Sequence, residues 1–142
     1  MEYKNLIEYI KIAYENVWTM HHYVESPNFF SDHEKLGEYY EKLADFRDEL
    51  IETGLSLETP VDEPSILEAI QTYKGKFELL PSKPIKAKEC FEKVKDYFED
   101  IIFIIDEIKE KQVGFVVSKL EEIQYWLNIE ANYKLPRLIR SL

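Results

Sequence analysis

The stretch His21-His22-Tyr23-Val24-Glu25-Ser26-Pro27-Asn28-Phe29-Phe30-Ser31-Asp32-His33 carries all three histidines of a 142-residue chain, on either side of a Ser-Pro-Asn break. Upstream of it, Leu6, Tyr9, Ile10, Ala13, Tyr14, Val17, Met20 and Val24 recur at three- and four-residue spacing. That spacing predicts an amphipathic helix over about 2–25. Downstream, Ser31 and Glu34 have capping-box spacing, and Leu36, Tyr40, Leu43, Phe46 and Leu50 follow on one stripe. A second helix is expected from Ser31 to a stop at Gly54. His21 therefore ends one helix and His33 opens the next.

Farther along, Pro60, Pro64, Pro81 and Pro84 interrupt residues 54–84, with one short helical stretch at Ile66, Leu67, Ile70 and Tyr73. A connection of this length between helices is a crossover carrying its own short element. A third helix is predicted over about 85–110 on Phe91, Val94, Phe98, Ile101, Ile105 and Ile108. A fourth starts near 113 on Val116, Leu120, Ile123 and Leu127, antiparallel to the third through the close turn at Lys111-Gln112. Two hairpins joined by one long crossover is the connectivity of ferritin-like four-helix bundles. The expected fold is all-α, with residues 1–142 as a single ferritin-like domain.

Composition narrows the function. Twenty-eight acidic against 18 basic side chains give a formal charge of −10, which favours cations over polyanions as partners. The apolar run Ile101–Ile105 is far short of the roughly 20 residues that span a bilayer. A lone cysteine, Cys90, cannot form an internal disulfide, and a cytoplasmic protein is expected. Cys90 lies on an apolar stripe and reads as a core residue. The basic C-terminal run Lys134–Arg140 reads as a solvated tail offsetting the acidic body.

On the second helix, Asp48 and Glu52 are four apart and share a face, where two carboxylates can present to one cation. Imidazole with carboxylate suits iron, manganese or zinc. His33 and Asp48 are fifteen residues apart, about 22 Å along a helix, whereas metal ligands lie about 2 Å from their ion. One chain cannot close such a site. Two copies packed antiparallel through the second helix about a two-fold axis would close two equal sites. The intrachain Glu-x-x-His di-iron pattern is absent, because Trp18, Thr19 and Phe30 precede the histidines by three.

The segment 21–33, followed by Leu36, Tyr40, Asp48 and Glu52, resembles the ferroxidase signature of the Dps family of small ferritins. There the pattern runs His-Trp-Asn-Val-x-Gly-Pro-x-Phe-x-x-x-His, then an aromatic or aliphatic residue, a Tyr, and Asp-x-x-x-Glu at the same intervals. The match is close over about residues 17–54. Here His22 stands at the family's Trp, Tyr23 at its Asn and Ser26 at its Gly, and the Lys-rich N-terminal arm is missing.

The resemblance implies metal ligands and catalytic residues His21 and His33 from one chain, with Asp48 and Glu52 from its twin, holding one or two irons. Zinc or manganese are alternative metals. It also implies oxidation of Fe(II) by peroxide or dioxygen for iron storage and protection from oxidative stress. The expected partners are iron ions and further copies of the chain, in a two-fold dimer and a twelve-subunit shell. Direct DNA binding and membrane association are not expected. The rival readings are a non-catalytic structural or interaction protein built on the same bundle, and a zinc-stabilised dimer without redox chemistry.

Overall fold

A computed structural model describes residues 1–142 and is predominantly helical. The order is α1 (Tyr3–Tyr23), β1 (Val24–Glu25), α2 (Phe29–Leu55), α3 (Ile66–Thr72), β2 (Ile85–Lys86), α4 (Ala87–Lys109), α5 (Gly114–Ile129), a π-helical turn (Glu130–Lys134) and α6 (Leu135–Arg140). The chain divides into two compact units, Glu2–Ile85 and Lys86–Leu142 with Met1. No helix is long and apolar enough to cross a membrane.

In the first unit α1 and α2 form an antiparallel pair. The start of α1 meets the end of α2, where the Tyr3 hydroxyl donates to the Leu50 carbonyl at 2.6 Å. The end of α1 meets the start of α2, where His21 and His33 stack. Leu6, Ile10, Ala13, Val17 and Met20 on α1 and Leu36, Leu43 and Leu50 on α2 are fully buried, as the periodicity required.

Two boundaries differ from the sequence expectation. Helix α2 begins at Phe29, two residues before Ser31, and has no side-chain cap. Its entry is fixed instead by Ser26, whose hydroxyl accepts from the Asn28 amide at 2.9 Å and donates to the buried Asp32 carboxylate at 2.5 Å. A carboxylate in the first turn is also favoured by the helix dipole. Gly54 does not stop the helix, which continues through Leu55. A Cβ there would lie 3.0 Å from the Tyr3 ring and 3.3 Å from the Val61 carbonyl, so the glycine admits Tyr3 rather than ending α2.

The crossover packs along α1 and buries polar residues that the apolar pattern had not placed inside. Asn16 accepts from the Leu80 amide at 2.8 Å and donates to the Glu78 carbonyl at 3.1 Å. Glu8 accepts from Thr72 at 2.8 Å and from Asn5 at 2.9 Å. Tyr9 stacks on Phe77 with centroids 4.2 Å apart, and buried Lys11 pairs with Glu63. Each buried polar group is thereby satisfied, as burial without loss of stability demands. The short helix α3 begins with a reciprocal Ser65–Glu68 capping box.

The second unit is an antiparallel α4–α5 pair with a helical extension. Pairing is set by Phe98 against Trp126, edge to face at 5.6 Å, and by buried Gln124, which donates to the Ile102 carbonyl at 3.1 Å and the Asp106 carboxylate at 2.9 Å. That bond, with Lys109, holds the Asp106 carboxyl below its ordinary range. Cys90 is fully buried.

The run Lys134–Arg140 keeps its basic side chains Lys134, Arg137 and Arg140 in solvent, as expected, but is helical and anchored rather than loose. Pro136 has no N–H and its ring crowds the preceding turn, so the helix widens into a π turn before resuming as α6. Ala131 and Leu135 are buried there, Lys134 pairs with Glu130 at 3.4 Å, and the Arg137 guanidinium lies 4.4 Å from the Tyr133 ring centroid.

Candidate metal centre

His21 sits in the last turn of α1, where backbone carbonyls lack helical partners. One of these, the carbonyl of His21 itself, is met by Nδ1 of His33 at 2.6 Å. A carbonyl only accepts, so His33 Nδ1 carries a proton, and in the neutral ring the lone pair is on Nε2. The bond fixes both ring orientation and tautomer, which is how metal-binding imidazoles are ordinarily held. The two rings stack at 4.0 Å and 18°, and Phe29 covers the other side of His33 at 5.1 Å.

His21 is held neutral. Its Nδ1 is enclosed without a hydrogen-bond partner, so an imidazolium would leave one N–H unsatisfied. Burial first, then the neighbouring His33 and His22, pushes its pKa below the ordinary histidine value. The ring lies against Gly37 of α2, where a Cβ would stand 3.3 Å from Cδ2 and 3.4 Å from Nε2. Both histidines, with Phe30, Glu34, Gly37, Glu38 and Glu41, line an open groove of about 510 Å³. Its carboxylates give the mouth a negative field that concentrates cations. Neutral imidazoles beside carboxylates are a donor set for borderline divalent metals.

Gly37→Ala separates the site from the fold. Relieving glycine's backbone entropy in a helix favours the protein by up to about 1 kcal/mol, while the new methyl group presses on His21. Thermal unfolding of the metal-free variant is expected to be unchanged or higher. Anaerobic titration is expected to show Fe(II) affinity reduced by about tenfold, as when a metal ligand's support is disturbed.

Asp48 and Glu52 lie on the same helix as His33 but toward its far end, and both are exposed. Neither side chain has a hydrogen bond or ion pair within the chain. Asp48 lines a second groove, of about 330 Å³, with Tyr14, Ala44, Arg47, Ile51 and Glu63. The structure thus brings His21 and His33 together and leaves Asp48 and Glu52 apart from them. No three His, Cys, Asp or Glu side chains of one chain converge to hold a metal.

His22 is exposed, and its Nδ1 lies 3.0 Å from the Trp18 carbonyl. Between the grooves the Tyr14 and Tyr40 hydroxyls are 2.9 Å apart and Trp18 packs on Tyr40 at 4.7 Å. Periodicity marks Tyr14 and Tyr40 only as stripe positions. Their pairing depends on the register between α1 and α2.

A solved structure, the crystal structure of Dps from Staphylococcus aureus, superposes with a TM-score of 0.70 over 96% of this chain and 91% of that one. The chain has the Dps fold. At 19% identity, the likeness to that Dps concerns backbone architecture alone. No family model matches the sequence, and no curated protein does. The Dps fold makes the chain an all-α ferritin-like bundle in which α1, α2, α4 and α5 are the four long helices and α3 lies in the crossover.

Proposed function

We propose that residues 1–142 act as one ferritin-like subunit that binds and oxidises Fe(II) at a site shared between two chains. His21 and His33 come from one, and Asp48 and Glu52 from the other. The observation that carries this reading is the His33 ring, held through Nδ1 with Nε2 free beside neutral His21, on a helix whose unpartnered Asp48 and Glu52 side chains stand about 22 and 28 Å away along its axis.

Antiparallel packing of α2 on α2 about a two-fold axis brings these halves together. Setting His33 against Asp48 of the partner subunit also sets Gly37, whose missing Cβ faces its own chain's His21, level with the partner subunit's Ala44. It sets Phe30, 84% exposed in the single chain, against the partner subunit's Ile51. The part-exposed flank of α2 beside its core stripe then becomes an interface, and further copies build a larger assembly. Its Dps neighbour and its high negative charge support this reading.

In this arrangement the imidazoles orient Fe(II), and the carboxylates of Asp48 and Glu52 stabilise the Fe(III) product by charge. Peroxide or dioxygen accepts the electrons. The role is iron storage and detoxification, with protection from oxidative stress.

Mixed dimers test the reading. His33→Ala and Asp48→Ala subunits should each be inactive, but a mixed dimer contains one site with all its wild-type ligands. Random co-assembly is expected to restore about a quarter of the wild-type ferric absorbance rate, since half the dimers are mixed and each has one of two sites. Recovery absent from assembled mixtures would place the ligands elsewhere. Wild-type dimers that bind Zn(II) but form no ferric product with either oxidant would favour a structural role.

A further inference from the structure

Resting on the iron-oxidising reading above, we infer that Trp18, Tyr40 and Tyr14 form an electron relay that supplies the second electron when peroxide meets a single Fe(II) at the histidine site. Fe(II) gives up one electron on becoming Fe(III), whereas breaking the O–O bond of peroxide to yield two waters needs two. With one iron present, the missing electron either comes from the protein or the second oxygen leaves as hydroxyl radical. Indole and phenol rings are the side chains best able to give it.

The rings lie where this requires. Trp18 is 5.8 Å from the His21 ring, centroid to centroid, and Tyr40 lies parallel to His21 at 6.3 Å and 9°. Trp18 to Tyr40 is 4.7 Å, and Tyr40 to Tyr14 is again 4.7 Å. The series runs from the imidazoles to Tyr14, which lines the second groove beside Asp48. Core packing does not account for it, because Trp18 is 40% exposed and both tyrosines are only partly buried.

The hydrogen bond between the phenols suits the chemistry. Tyr14 donates to the Tyr40 oxygen at 2.9 Å, so Tyr40's own proton has no acceptor within the chain and is free to leave. A phenoxyl radical left on Tyr40 would keep the Tyr14 hydrogen bond. Tyr14 itself stays a phenol, its pKa pushed up to about 12 by burial and by Tyr40, and the Arg47 guanidinium lies 5.3 Å from its ring centroid.

The balance is complete. Fe(II) and the Tyr40 phenol each lose one electron, and Tyr40 also loses its proton. Peroxide takes both electrons, that proton and one more from solvent. The products are Fe(III), two waters and a neutral tyrosyl radical, with Trp18 oxidised and re-reduced in passing.

Two measurements test the relay. In iron-free protein, azide radicals from pulse radiolysis oxidise indoles. The tryptophanyl absorbance is expected to convert to tyrosyl absorbance at a rate independent of protein concentration, and this conversion is expected to be lost in Tyr40→Phe and in Trp18→Phe. Conversion unchanged in both variants would overturn the relay.

With one Fe(II) per site and peroxide, freeze-quenched paramagnetic resonance is expected to show a tyrosyl radical in the wild type. In Tyr40→Phe the radical should disappear and a spin trap should capture hydroxyl radical, while ferric absorbance still develops. Ferric absorbance without any protein radical in the wild type overturns the relay and leaves the ferroxidase reading standing. No ferric absorbance overturns both.

Discussion

Replacing His33 by Ala is expected to lower the rate of ferric formation by about 100-fold or more, the scale on which metal-site disruption acts, while leaving thermal unfolding close to wild type. The loss is large because His33 is the one imidazole whose lone pair is positively assigned, its proton committed to the His21 carbonyl. The cost to the fold is small because that carbonyl lies in the last turn of α1 and the ring is only partly buried. Asp48→Ala should produce a similar kinetic defect without any contact to His33 inside one chain. Stopped-flow absorbance under peroxide, with Fe(II) loaded anaerobically, measures both. A His33→Ala rate within a few-fold of wild type would remove the histidine from the chemistry.

The same lone pairs set the pH response. Ligation needs neutral imidazoles, so Fe(II) affinity read by anaerobic titration is expected to fall in acid. Burial depresses the His21 pKa, which keeps that ring available to a lower pH than an ordinary histidine.

Phe98→Ala carries the largest expected effect on stability. Its side chain is fully buried on the apolar stripe of α4 and meets Trp126 edge to face. Truncating a core phenylalanine costs about 3–5 kcal/mol, a large share of the roughly 5–15 kcal/mol that holds a typical domain together. Phe103 is on the same helix but 63% exposed, and Phe103→Ala should fall within about 0.5 kcal/mol of wild type. Denaturant midpoints of the two variants measure the difference. Similar midpoints would contradict the assignment of the core face of α4.

That face was readable in advance because the second unit follows a local rule. Phe91, Val94, Phe98, Ile101, Ile105 and Ile108 all come to lie inside, and one helix period suffices to group them. The first unit shows where local reading stops. Ser31 with Glu34 has the spacing of a cap, but Ser26 and Asp32 hold the turn from outside that window. Glu8, Lys11 and Asn16 look like a solvated edge of α1 and are buried because partners more than fifty residues away cover them. Pro136 reads as a breaker, yet a single π turn absorbs it.

The site divides in the same way. Two histidines flanking a short turn between antiparallel helices must lie near each other, and Asp48 and Glu52 must share a face, so spacing alone makes each pair legible without showing that the two pairs form one site. The fit of His21 against Gly37 and the Tyr14–Tyr40 pair depend on how α1 is rotated and slid along α2. No periodicity encodes that register.

Anomalous scattering at the iron edge from crystals grown anaerobically with ferrous salt tests the intersubunit site most directly. The expected result is one iron peak, or a close pair, within ligand distance of His33 Nε2 and of Asp48 and Glu52 carboxylate oxygens from the two-fold-related chain. Iron bound only by residues of a single chain, or an α2–α2 pairing that leaves His33 and those carboxylates apart, would contradict it.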